Sequence, residues 1–150
     1  NVFPAILEKK LKFFGYILDG DYWRDIGNPV SYLAAHHDML AGEVKGFERS
    51  KRDTGELATA AMIDKASVIG NGCVIKSGAR IKNSVLGPGV HVEEKAVIED
   101  SVIWSHSRVS SAAEIRSAVI GRSCHIGRNV IVSPGTVLGD KGSLPDYSRT

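Results

Sequence analysis

Few side chains in this 150-residue chain can do chemistry, and each must be judged by what stands beside it. Three of its five histidines, His91, His106 and His125, fall in a Val- and Ile-rich second half. A neutral imidazole there could ligate zinc or act as a general base. The two cysteines, Cys73 and Cys124, could pair as a disulfide or lie buried as free thiols. Near the start, Trp23-Arg24-Asp25-Ile26-Gly27-Asn28-Pro29 places a carboxylate before a helix start. One carboxylate alone rarely holds a divalent cation, and Asp25 can instead receive hydrogen bonds from the turn into the helix that Asn28 caps.

The element that positions the histidines and cysteines is a repeat. Aliphatic residues sit at Ile63, Ile69, Ile75 and Ile81, then Leu86, Val92 and Ile98, then Ile103, Val109 and Ile115, then Ile120, Ile126, Val132 and Leu138. Their steps run six, six, five, a cycle of seventeen. A small or β-branched residue follows four positions later, as at Cys73, Ala79, Val90, Ala96, Ser107 and Ala113. Six residues make one short flat face and a corner, and three such units close a triangular coil with one corner tightened. Self-similarity of this kind predicts a parallel β-helix of hexapeptide repeats from about Ala58 to Gly139. Residues seventeen apart then lie in columns: Ile81, Ile98, Ile115 and Val132; Ile75, Val92, Val109 and Ile126; Ala79, Ala96, Ala113 and Val130. Gly70, Gly87, Gly121, Gly127 and Gly139 follow the aliphatics and are expected to relax the backbone where it turns.

The register constrains the chemistry. His91 and His125 share a column with Arg108 between them. At about 4.8 Å per coil they stand roughly 10 Å apart, too far to share one zinc, though a site across a subunit interface escapes that objection. His106 falls near a corner. Cys73 and Cys124 are three coils, roughly 14 Å, apart, beyond the reach of a disulfide, and both take the inward small position. Buried free thiols suit a reducing compartment.

Ahead of the repeat, Phe3 to Phe14 reads as an amphipathic helix stopped by Gly15. Tyr16-Ile17-Leu18 and Tyr22-Trp23-Arg24 read as strands joined by an Asp19-Gly20 turn. Asn28 as N-cap and Pro29 at the first position open a second helix to Gly42, with Val30, Leu33, His37 and Leu40 along one stripe. Of His36 and His37, one is expected on the surface and one packed. These elements cannot bury a core of their own and should pack on the β-helix, another subunit or an absent domain. The chain therefore divides into 1–42, a charged linker over 43–57, and the β-helix over 58–150. Arg49, Lys51 and Arg52 lie in that linker among interleaved acids, which favours a solvated connector over a nucleic-acid contact.

The Trp23 to Pro29 string, followed by Tyr32-Leu33, a charged linker and the hexapeptide repeats, resembles the end of the catalytic domain in sugar-phosphate nucleotidyltransferases. The likeness is greatest to mannose-1-phosphate guanylyltransferases and related glucose-1-phosphate enzymes, and includes Ser101-Val102-Ile103-Trp104 and Ser117 to Arg122. It implies a mainly β fold, a left-handed β-helix preceded by a small α/β fragment of a truncated catalytic domain. Left-handed winding comes from the resemblance alone, against the usual right-handed crossover. The implied reaction joins a nucleoside triphosphate to a sugar 1-phosphate with release of pyrophosphate and needs Mg²⁺. By resemblance Asp25 is a metal ligand and Trp23 and Gly27 border the substrate, while the nucleotide loop and the other carboxylate belong to a missing N-terminal catalytic domain. The fragment alone is expected to be inactive and to need no cofactor. Hexapeptide β-helices also occur in acyltransferases and in a class of carbonic anhydrases, so an acyltransferase using His91, His106 or His125, or a plain scaffold, remains the alternative.

Nineteen basic and seventeen acidic residues give a net charge of +2, which offers no electrostatic reason for a nucleic-acid or membrane partner. No stretch approaches the roughly 18 apolar residues of a membrane span, and a signal peptide's regions are missing, so a cytoplasmic protein is expected. The opening Asn1-Val2-Phe3-Pro4 has no initiator Met and reads as the C-terminal piece of something longer. Flat β-helix faces predict a homo-oligomer.

Overall fold

The structure, a computed structural model, describes residues 2–17, 19–46 and 57–150. From Leu57 onward the chain winds as a triangular tube. The first coil carries β1 (Met62–Ile63), β2 (Val68–Ile69) and β3 (Val74–Ile75). The second carries β4 (Arg80–Lys82), β5 (Val85–Leu86) and β6 (His91–Val92). The third carries β7 (Val97–Glu99), β8 (Val102–Ile103) and β9 (Arg108–Val109). The fourth carries β10 (Glu114–Arg116), β11 (Val119–Ile120) and β12 (His125–Ile126). The last carries β13 (Ile131–Val132), β14 (Val137–Leu138) and β15 (Ser143–Leu144). Each flat side of the tube is a five-stranded parallel sheet. The first face is β1-β4-β7-β10-β13, the second β2-β5-β8-β11-β14 and the third β3-β6-β9-β12-β15.

The register reproduces the columns read from the sequence. Ile81 pairs Ile98, Ile98 pairs Ile115, and Ile115 pairs Val132. Ile75, Val92, Val109 and Ile126 pair in the same way on the third face. These side chains, with Ala79, Ala96, Ala113 and Val130, are at most 1% exposed and fill the tube. The seventeen-residue cycle holds only in the middle, however. Ile63 pairs Ile81 and Leu57 pairs Ile75, both eighteen apart, and so do Ile120 with Leu138 and Ile126 with Leu144. The shortened corner follows β4, β7 and β10, where Asn83, Asp100 and Ser117 take left-handed φ of 45°, 49° and 45°. Asparagine and aspartate tolerate that conformation best among residues with side chains. Asn83 Nδ2 donates to Asp100 Oδ1 at 2.7 Å across the coils.

Burying that corner's amides requires acceptors, and serines supply them. Ser84 Oγ accepts the Ser101 N–H at 3.1 Å and donates to the Lys82 carbonyl at 2.7 Å. Ser101 repeats the arrangement one coil on, with the Ala118 N–H and the Glu99 carbonyl. Both serines are fully buried.

The glycines after the aliphatics have a different role from the one expected. Gly70 and Gly87 are absent from the left-handed residues; instead a Cβ on Gly87 would stand 2.7 Å from the Ser105 amide nitrogen of the next coil, and one on Gly70 2.7 Å from Gly87 and Pro88 backbone. At Gly70 and Gly87 glycine is there because the backbone of the next coil approaches too closely for a side chain, whereas Gly139 has open space around it.

The first forty residues depart further from expectation. α1 spans Val2–Glu8, not Phe3 to Phe14. Lys10 turns left-handed at φ 49°, its N–H bonds the Leu7 carbonyl and the Leu11 N–H bonds the Ile6 carbonyl, a Schellman stop that brings Phe13 edge-on to Phe3 at 5.4 Å. Tyr16 and Ile17, and Tyr22 to Arg24, form no strands; Leu18 lies outside the described residues. A two-stranded ribbon without a third partner is marginal, and here Tyr22 and Arg24 are held by side-chain bonds instead. α2 spans Pro29–Ala41, capped by Asn28 and closed by left-handed Gly42 as expected. Its Leu40 is buried, but Val30, assigned to the same stripe, is 75% exposed. Most of the charged linker, with Arg49, Lys51 and Arg52, lies outside the described residues.

Candidate functional site at the junction of helix and coil

The segment carrying Trp23, Asp25 and Gly27 is fixed from α2. Asp38, in the third turn of α2, accepts hydrogen bonds from Tyr22 Oη and Arg24 Nε, both at 2.7 Å, and pairs with the Arg24 guanidinium at 2.6 Å. These bonds, the tyrosine's first, hold the Asp38 carboxyl below the ordinary carboxylate range. At the helix start, Asn28 Oδ1 accepts the Ser31 N–H at 2.9 Å and Ser31 Oγ donates back to the Asn28 carbonyl.

Asp25 Oδ1 accepts the Gly27 N–H at 3.0 Å, a turn closed by the side chain. Asp25 and Trp23 are exposed, Trp23 by 77%. Among the described residues no three His, Cys, Asp or Glu side chains gather as a metal site. A lone carboxylate already accepting a backbone N–H does not fit magnesium by itself.

Of the three residues, Gly27 faces the β-helix. It lines a cleft of about 280 Å³ with Pro29, Tyr32, Trp104, Val119 and Val137. A second cleft of about 240 Å³ lies between Tyr32 and His36 of α2 and Val85, Pro88, Val102 and Trp104 of the tube. Tyr32 stands edge-on to His36 at 4.6 Å. Burial, with the neighbouring His37 charge adding, depresses the His36 pKa. Both histidines are half-buried, so the expected division into surface and packed residue does not hold, and His37 Nε2 is enclosed without a hydrogen-bond partner.

The surface under α2 is apolar for a reason the inward columns do not reveal. The outward positions of the second face are Val68, Val85, Val102, Val119 and Val137, paired coil to coil. The signal was the doubled aliphatic in Val68-Ile69, Val85-Leu86, Val102-Ile103 and Val119-Ile120, of which one member faces in and the other out. Trp104 takes the place that Gly87 and Gly121 hold in neighbouring coils, and Arg122 lies over its ring at 4.9 Å. The junction is thus a surface on which α2 lies; Ser105 and His36 both line its second cleft, but among the described residues no hydrogen bond joins a nucleophile to a base there.

The third face carries the other candidates. His91 pairs with Arg108 and Arg108 with His125, one column two coils long. His106 sits at a corner with φ 59°. Beside the column, Glu93 is paired with both Lys76 and Arg108. Cys73 and Cys124 are buried free thiols; Cys73 Sγ donates to the Gly87 carbonyl and Cys124 Sγ to the Gly139 carbonyl. Burial pushes the Cys73 thiol up. Among the described residues no helix is long and apolar enough to cross a membrane.

Comparison with known proteins agrees with this architecture. The chain is 33% identical over 107 residues to mannose-1-phosphate guanylyltransferase of Mycobacterium tuberculosis, covering 66% of this chain and 30% of that protein. It is 30% identical over 161 aligned residues to glucose-1-phosphate adenylyltransferase of Desulfitobacterium hafniense, covering 100% of this chain and 38% of that protein. The chain thus spans about a third of the length of these curated relatives. Its fold is shared with the acetyltransferase domain of PglB from Neisseria gonorrhoeae at a TM-score of 0.60 and 23% identity, over 61% of this chain and 46% of that one. It is shared likewise with GDP-perosamine N-acetyl transferase from Caulobacter crescentus at 0.63 and 17%, over 98% and 64%. Residues 49–147 match the model described as EIF2B subunit epsilon LbH domain, where the letters denote a left-handed β-helix, the winding that the resemblance implied. The chain belongs to that family of left-handed β-helix domains, whose curated relatives here are sugar-phosphate nucleotidyltransferases.

Proposed function

We propose that this chain is the C-terminal portion of a cytoplasmic sugar-phosphate nucleotidyltransferase of the mannose-1-phosphate guanylyltransferase type. The observation that carries the reading is that the alignment with the adenylyltransferase, at 30% identity, covers the whole chain and so includes the Trp23 to Pro29 segment as well as the coils. In the intact enzyme the sugar phosphate attacks the α-phosphorus of the nucleoside triphosphate and pyrophosphate leaves. Positioning and charge neutralisation carry such a reaction. Asp25 would supply one ligand to Mg²⁺ beside carboxylates of an upstream catalytic domain, with Trp23 and Gly27 bordering the substrate. The β-helix holds that domain through α2 and joins copies of the enzyme.

The test is pyrophosphate release by the protein of the complete reading frame, with GTP and mannose 1-phosphate or ATP and glucose 1-phosphate. Activity with one pair, and at least a tenfold higher magnesium concentration for half-maximal rate in D25N, is expected; no release with either pair sinks the reading. The 150-residue chain by itself should release none. Acyl transfer through His91, His106 or His125 is the second reading. The acetyltransferase structures support it at the level of fold, and calorimetric binding of acetyl-CoA, lost when all three histidines are replaced, would favour it.

A further inference from the structure

Between Tyr22 and Gly27 no backbone-to-backbone hydrogen bond holds the chain to another described residue. Side chains hold it instead. Tyr22 Oη and Arg24 Nε donate to the same oxygen, Asp38 Oδ2, the Arg24 guanidinium pairs with it, and Arg24 Nε also donates to Tyr22 Oη at 3.1 Å. Side chains two positions apart that converge on one carboxylate share a side of the chain, which turns the residues alternating with them the other way. Trp23 and Asp25 are exposed accordingly. The next fixed points along the chain are the Asp25 to Gly27 turn and the Asn28 cap. Trp23 is thus enclosed in the sequence by the two residues of a clamp, and nothing else among the described residues sets its direction.

Asp38 has firm footing for this. Its helix α2 is capped at both ends, and Tyr32 and His36 of α2 line one cleft with Val85, Val102 and Trp104 of the second face. The Arg24 and Asp38 side chains are 37% and 15% exposed, and an ion pair that water reaches contributes little to stability. Charge-assisted donors converging on one oxygen do, however, fix a geometry. An indole has few side-chain torsions, so fixing the backbone on either side of it fixes most of its direction.

We infer that Asp38 is a positioning residue for the proposed reaction: through Tyr22 and Arg24 it sets the direction in which the Trp23 indole meets the substrate. The inference rests on that reaction and on the place given in it to Trp23. Asp38, on the opposite side of the chain from the indole, acts only through its partners. Without it, Trp23 would have to be ordered anew each time substrate binds, and affinity would fall by the cost of that ordering.

The experiment has two readouts, taken on variants whose fold circular dichroism confirms. In the protein of the complete reading frame, with the substrate pair that the parent accepts, W23A should raise the KM for one substrate. D38N should raise the KM for that same substrate about three- to tenfold, with kcat within about twofold of the parent. Y22F/R24Q, which leaves Asp38 in place, should do the same and carries the test if D38N does not fold. D38N added to W23A should change that KM by less than about twofold, because the residue through which it acts is gone. In the 150-residue chain W104F leaves Trp23 as the one tryptophan, and D38N should lower its fluorescence anisotropy. Either a KM or an anisotropy that D38N leaves unchanged, or an effect of D38N on KM as large without Trp23 as with it, overturns the inference while the parent's pyrophosphate release stands. No release from the parent with either substrate pair overturns the reaction and the inference together.

Discussion

Glu93 lies between coils with its side chain 10% exposed, and Lys76 above and Arg108 below both reach it. The hydrogen bond from Lys76 is the largest cause that holds its carboxyl below the usual value, with Arg108 adding charge against the cost of burial. A carboxylate whose folded pKa is depressed contributes stability that is present above its unfolded pKa and lost as pH falls through the folded one. E93Q should therefore cost about 1–2 kcal/mol at neutral pH, the pair being discounted because both cations are about half exposed. The parent and variant unfolding curves should converge in acid; a constant gap at all pH values would show that packing, not charge, is what Glu93 provides. Gly87 offers a second residue-level test. G87A should lose about 1–3 kcal/mol by overpacking against the Ser105 backbone, while G139A, with nothing within 4 Å of the added carbon, should change little. Equal melting temperatures for the two variants would contradict close approach as the reason for glycine.

At the scale of elements, the serine ladder joins successive coils at their tightest corner. S101A leaves the Ala118 N–H buried without its acceptor, at an expected cost of about 1–3 kcal/mol in urea unfolding; a neutral result would mean that water replaces the hydroxyl. Strands of two or three residues were legible in the sequence because every inward position repeats its own chemistry, so Ile98 is confirmed by Ile81 and Ile115. α2 was legible from Asn28, Pro29 and Gly42, local signals that need no tertiary partner. The stretch from Leu11 to Arg24 was not. Its apolar pattern suits a helix and a hairpin, but Lys10 and Asp38 decide the outcome through one backbone turn and one ion pair. The docking surface was missed for a related reason: an outward valine reads as ordinary strand composition until something is seen to lie on it. The order of the Trp23 to Pro29 motif was visible, whereas the cleft joining Gly27 to Trp104 depends on contacts far apart in the chain.

For the whole molecule, cohesion comes from neighbouring coils, so the tube should tolerate loss of a complete turn. Deleting residues 109–125, one coil of seventeen, joins Arg108 to Ile126 in register and should leave a cooperative, less stable β-helix by circular dichroism and calorimetry. Deleting 110–125 shifts the register by one and turns inward side chains outward, so that variant should fail to fold. Similar stability of the two deletions would refute the column geometry. The outer turns of eighteen residues also end the shortened corner at both extremes, so the pattern is not an indefinitely repeating unit. Backbone bonds between turns run lengthwise along the tube, which has a mechanical consequence. Drawn apart by Leu57 and Thr150, the stack is loaded like a zipper opened from one end, one rung of bonds after another. Each middle turn that peels away should lengthen the tether by about 55 Å, its extended contour less the rise it occupied.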